Sequence, residues 1–86
     1  MKINKLIEVL NKKLNENFNI SSLKIEDKSF LHKNHTTNNK NKFHIKLIIT
    51  SKYLRKKNKI KSTKEIYKIL EQELKDYIHS IQILIN

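Results

Sequence analysis

The 86-residue chain contains no cysteine, glycine, proline or tryptophan. Without cysteine it forms no disulfide and offers no thiolate to a metal, so any sulfur ligand in a site it shares comes from elsewhere. Without glycine it has no glycine-rich loop to cradle a phosphate. It also lacks an HExxH zinc helix and any Ser or Cys nucleophile set beside a recognisable base, so it is not expected to be an enzyme. No apolar run approaches the ~20 residues that cross a bilayer, which argues against a membrane role. Acidic residues are scarce, 8 against 19 Lys and Arg. Three of them, Glu71, Glu73 and Asp76, stand beside Lys68 and Lys75 on an expected helix and read as a solvated face.

Lys, Asn and Ile supply half of the chain. An adenine- and thymine-rich coding sequence explains that bias more simply than a shared role for the three residues. The net charge of +11 is therefore discounted: it speeds encounters with anionic partners without naming any of them. A chain this short buries about 60–65% of its unfolded surface and supports one core, so residues 1–86 are read as a single domain, monomeric when alone. The opening MKINKLIEVLNKKL carries Lys and an apolar stripe, as some transit peptides do. It also has acidic Glu8 and neither Arg nor Ser, so the expected location is cytoplasmic, with a mitochondrial one as the alternative.

Ile3, Leu6, Ile7, Leu10 and Leu14 fall at helical spacing and predict an amphipathic helix over residues 2–16. Ser22 to Asp27 alternates apolar and polar residues and predicts a strand, as does Phe43 to Thr50 more strongly. Between them, Lys28 to Lys42 reads as a long exposed loop. A short helix is expected over Ser51 to Lys57, with a turn at Asn58. Ser62-Thr63-Lys64-Glu65 has the capping-box pattern, which starts a helix running from Thr63 to about Tyr77. Ser80 to Ile85 is the expected third strand. The order α-β-β-α-α-β, with one antiparallel hairpin and a third strand added after a helical crossover, defines an α/β (α+β) fold: a three-stranded sheet with helices on one face.

Among the four histidines, His44 reads as an ordinary surface residue on the polar side of the second strand. His32 and His35 stand at the entrance of the loop, where a mobile backbone can turn either imidazole toward a metal. His79, at the expected helix-to-strand junction, reads as a C-terminal helix contact favoured by the macrodipole when protonated.

Taken in order, LKIEDKSFLHKNH, KFHIKLIITSKYL, EIYKILEQEL and IHSIQI resemble the BolA family over about four-fifths of the chain. In that family an Asp-x-Ser after the first strand leads to a His or Cys three residues beyond the Ser, here Asp27, Ser29 and His32. The histidine of the C-terminal His-Ala-Leu signature falls on His79, in His-Ser-Ile form. The resemblance implies a fold like the class II KH domain. It also implies a non-catalytic role as heterodimeric partner of a monothiol glutaredoxin, the two sharing a [2Fe-2S] cluster that the isolated chain does not bind. The glutaredoxin cysteine and a glutathione thiol would supply sulfur. His79 would be one nitrogen ligand and His32 the second, with His35 as the substitute for His32. Replacing a thiolate by neutral imidazole makes such a site less negative, and histidine ligation accompanies raised potentials in Rieske centres.

Three departures from the family pattern stand out. Ser62-Thr63-Lys64 replaces an Arg-His-Arg, Lys42 replaces a histidine before the second strand's Phe, and Asn34 and Asn58 stand where glycines are common. Asn is the usual second choice where φ is positive. A competing reading is a basic nucleic-acid binder using Lys52, Arg55, Lys56, Lys57, Lys59, Lys61 and Lys64 around a helix-turn-helix. A KH domain, however, grips RNA with a Gly-x-x-Gly loop that this chain lacks, and Tyr53 is the sole aromatic in the patch. The expected binding is weak, independent of sequence and steeply salt-dependent.

Overall fold

A computed structural model describes residues 1–29 and 42–86. Helix α1 (Ile3–Asn17) leads into strand β1 (Ser22–Asp27). Strand β2 (Phe43–Thr50) is followed by helices α2 (Lys52–Lys56), α3 (Lys59–Ile69) and α4 (Glu71–Asp76), and strand β3 (Ile78–Ile85) ends the chain. Both expected strand ranges before the helices match, and α1 is displaced by one residue at each end. The α+β architecture expected from the residue pattern is the one observed, with one helix more.

The sheet order is β1-β2-β3. β1 runs antiparallel to β2, with Leu23 opposite Ile49 and Ile25 opposite Leu47. β3 runs parallel to β2, with Ile81, Ile83 and Ile85 opposite Ile45, Leu47 and Ile49. A parallel neighbour requires a long crossover, which α2, α3 and α4 supply. Period-two alternation gives the sheet one apolar face, where Ile45, Leu47 and Ile49 are buried. Leu6, Leu10 and Leu14 recur every four residues along α1 and pack on that face with Leu54, Ile66 and Leu70. Each fully buried Leu or Ile contributes about 1.5–3 kcal/mol. The opposite face carries His44, Lys46, Ile48, Ser80, Gln82 and Leu84.

Four local expectations need correction. Ser62 does not start a helix: Asn58 does, its side-chain oxygen accepting from the Lys61 N–H at 2.9 Å. Ser62 is instead fully buried one turn inside α3, where its hydroxyl donates to the Leu54 carbonyl at 2.6 Å, a bond that satisfies one of the last carbonyls of α2. Asn58 has φ −67°, so it serves as a cap rather than as a glycine substitute. The single helix expected from Thr63 to Tyr77 is two, parted at Leu70 (φ −97°, ψ 13°), although Leu70 and Leu74 still donate to Ile66 and Leu70. Finally, β3 begins at Ile78 rather than Ser80, because Ile78 is itself a core residue paired with Phe43.

Candidate metal centre

The earlier start of β3 changes the setting of His79. Phe43 pairs with Ile78 and His44 with Ser80, so two residues of β3 advance against one of β2, and His79 is the extra residue of a β-bulge. Such bulges re-aim a side chain out of the regular alternation. Ile78 turns into the core, Ser80 lies on the open face beside His44, and His79 is exposed. The two imidazole rings stand with centroids 4.9 Å apart at an interplanar angle of 61°. His79 is thus a strand residue with a ring neighbour, not the helix-end contact expected from the sequence, and His44 is not an isolated surface histidine.

His44 is held at three points, two on its backbone and one on its ring. Its N–H donates to the Ser29 hydroxyl at 3.1 Å, and its carbonyl accepts from the Lys28 N–H at 2.7 Å. Its ring Nδ1 pairs with the Ser80 hydroxyl at 2.6 Å. Ser29 is itself fixed, because its N–H donates to the Asp27 carboxylate at 2.9 Å. The Asp27-x-Ser29 motif therefore does structural work in which the carboxylate closes an Asx turn and the serine then clasps the start of β2. Ser29, the last described residue before the segment that carries His32 and His35, lies at the same corner as His79. His32 and His35 themselves, with most of the expected Lys28–Lys42 loop, lie outside the described residues.

Lys28, His44, Lys46, Ser80 and Gln82 line a shallow groove beside this corner. His44 is the one histidine in its lining, and Lys28 and Lys46 give it a cationic rim. Among the described residues no cluster of three or more His, Cys, Asp or Glu side chains surrounds a common point. What this corner offers is a pair of imidazoles. Sequence reasoning missed His44 because it placed β3 two residues late; with β3 begun at Ile78, the parallel register itself puts His44 beside the bulge.

The basic residues lie elsewhere. Lys52, Arg55 and Lys56 are on α2, Lys59, Lys61 and Lys64 on α3, and Lys57 joins the two helices. Lys56, Lys57, Lys61 and Lys64 line one groove. Lys57 is not available as a simple surface charge: its ammonium donates to both Glu65 oxygens at 2.9 Å and to the Tyr53 hydroxyl at 2.5 Å. The Tyr53 hydrogen bond, followed by Glu65, raises the Lys57 pKa above its ordinary 10.5. The acidic face on α4 is also not uniformly solvated. Glu73 is buried and receives two hydrogen bonds from Lys13 of α1, at 2.7 and 2.8 Å. The carboxylate faces the helix packed against it, which a single-helix reading cannot see.

A family model described as BolA-like protein matches residues 14–86. Two solved structures from Arabidopsis thaliana superpose on most of the chain. The BolA domain of SufE1 has a TM-score of 0.76 and 28% identity over 92% of this chain and 87% of that one. BolA1 has a TM-score of 0.76 and 26% identity over the same shares. No curated sequence relative matches.

Proposed function

Since this chain belongs to the BolA-like family, we propose that it is a non-catalytic partner of a monothiol glutaredoxin, with which it shares a [2Fe-2S] cluster in iron–sulfur trafficking or in iron and redox regulation. The observation that carries this reading is the position of His79: exposed, set out of the strand alternation by a bulge, and at the corner where Ser29 releases the loop. An imidazole that a partner must reach requires that exposure. Its anchoring in a strand orients it before the partner arrives.

The cluster would supply electron transfer and exchangeable iron. This chain would supply His79 as one nitrogen ligand and His32, or His35 in its place, as the other. Three residues of extended chain span at most about 10 Å, so the sequence spacing from Ser29 permits His32 to reach the corner. Lys28 and Lys46 add positive charge beside a cluster–glutathione assembly that is anionic. Among the described residues, no helix is long and apolar enough to cross a membrane, and the cytoplasm is the proposed compartment, with the mitochondrion as the alternative.

The test is to mix the purified chain with cluster-loaded monothiol glutaredoxin and follow visible absorption and circular dichroism. A heterodimer with an altered spectrum is expected. His79→Ala abolishes the change and His32→Ala weakens it; an effect of His35→Ala without one of His32→Ala transfers the loop role to His35. No spectral change with the unaltered chain sinks the reading.

A second reading has one observation in its favour, the groove between α2 and α3 lined by Lys56, Lys57, Lys61 and Lys64. It makes the chain a weak nucleic-acid binder, acting as a regulator of transcription. Submicromolar binding of a labelled oligonucleotide that survives near-physiological salt supports it. Binding that vanishes there leaves only generic charge attraction.

A further inference from the structure

We infer that the outer edge of β3 is a self-association surface, on which a second copy of this chain pairs antiparallel across a two-fold axis at Ile83 and joins two three-stranded sheets into one. The order β1-β2-β3 leaves both outer strands with an edge, and among the described residues β3 pairs with β2 alone. A sheet edge presents unpaired backbone donors and acceptors, and folded chains block it with charged side chains, proline or bulges. β1 is blocked in this way by Lys24, Glu26 and Asp27. β3 is not. From Tyr77 to Asn86 no side chain is charged, the longest such run in a chain with 19 Lys and Arg, and the bulge lies before Ser80.

The side chains fit a second copy. Ile81, Ile83 and Ile85 lie on the core face and are only half-buried. Antiparallel pairing centred on Ile83 sets Ile83 against its own copy and Ile81 against Ile85, so the apolar layer continues from one chain into the next. On the open face the same register sets Gln82 against Leu84, which is 41% exposed, and Ser80 against Asn86. A one-residue slip would set isoleucines against the open face, and centring on Gln82 would set Ile85 against His79 of the bulge. Two chains of charge +11 repel, which favours contact at the strand that carries no charge. Salt screens that repulsion, so association strengthens with ionic strength, the reverse of nucleic-acid binding. A strand edge is a small interface, and the dimer is accordingly weak and reversible.

This departs from the monomer expected from the sequence. It uses no histidine, loop or cluster, so the glutaredoxin experiment can fail without touching it. Sedimentation equilibrium of the full chain is run over a range of concentrations in low and in molar salt. A reversible dimer is expected, tighter in molar salt. Gln82→Lys and Leu84→Lys, both at exposed positions, each enter the interface twice and bring like charges together across it, weakening dimerisation by about tenfold while the chain stays folded in thermal melts. The absence of cysteine gives a second readout. Ile83→Cys meets its own copy at the axis and is oxidised to a disulfide-linked dimer, whereas Lys24→Cys on the charged edge stays largely monomeric under the same mild oxidant. A chain that is monomeric at every concentration and salt overturns the proposal and leaves the edge to an extended segment of another protein. A dimer that Leu84→Lys leaves intact, or equal cross-linking at positions 24 and 83, overturns it as well.

Discussion

The helical layer and the open corner of the sheet handle polar side chains in opposite ways. In the helical layer they are turned inward and tied off. Ser51 caps α2, accepting from the Leu54 N–H and donating to the Asn19 carbonyl, and Ser62 closes the other end of α2. Glu73 is buried under Lys13, and Lys57 is held by Glu65 and Tyr53. No buried side-chain nitrogen or oxygen among the described residues lacks a hydrogen-bond partner. At the corner, by contrast, the backbone is clasped while the His79 ring is left exposed. The layer uses polar side chains to hold helices together; the corner is held mainly through its backbone, and under the proposed function the exposed His79 imidazole serves as a ligand.

If this division is correct, substitutions in the layer lower stability without altering metal binding, and substitutions at the corner do the reverse. The largest stability loss is expected for Lys13→Met, which leaves the buried Glu73 carboxylate without its cation. Removing one partner of a fully buried pair costs about 3–5 kcal/mol. Lys13 is 37% exposed, so water replaces part of the interaction and the expected loss is roughly 2 kcal/mol. Ser62→Ala follows, with about 1–2 kcal/mol, because the Leu54 carbonyl loses its side-chain donor in a dry position. For a chain of this size each kcal/mol lowers the melting temperature by about 4–8 °C. Thermal melts check both variants, and an unchanged cluster spectrum with the glutaredoxin in each is part of the expectation. A layer variant that destroyed metal binding while still folded would break the division.

The division also accounts for what could be read from the sequence. The strands Ser22–Asp27 and Phe43–Thr50 were legible because one face is dry and the other wet, which imprints a period of two on the residues. The apolar stripe of α1 was legible for the same reason. Ser62 misled because the capping box is a local pattern, whereas the partner that wins its hydroxyl, Leu54, lies eight residues back across a turn. Glu73 misled because its cation comes from α1, sixty residues away. His79 was found through family resemblance, and its physical setting was not: a bulge is a mismatch between two strands, and neither strand alone records it. The contact of His44 with His79 was not foreseen because it depends on that mismatch.

Smaller effects sharpen the contrast. Asn58→Ala removes the cap of α3 and is expected to lower stability by about 1 kcal/mol. Asn58→Gly, which keeps the backbone freedom of a cap residue, lowers it by only a few tenths of a kcal/mol. His79→Ala is expected to change stability by less than about 0.5 kcal/mol, since the side chain is exposed, while the ligand readouts disappear. Equal losses of stability in Asn58→Ala and His79→Ala would mean that the corner is as structural as the layer.

The smallest effect belongs to Lys57, and pH isolates it. Hydrogen bonding to Tyr53 and then Glu65 raises the Lys57 ammonium above its ordinary value of 10.5. A cation whose pKa is higher in the folded than in the unfolded chain binds its proton more tightly when folded, so the stabilisation is complete below about pH 10.5 and disappears as pH climbs through the folded value. Lys57→Met should therefore melt slightly below the unaltered chain at neutral pH, by a margin that stays constant up to about pH 10 and narrows above it. Both partners are partly exposed, so added salt should shrink the same margin at neutral pH. A margin that instead stays constant above pH 10.5 would show that Lys57 acts through packing of its aliphatic stem rather than through the charge that it places 4.2 Å over the Tyr53 ring.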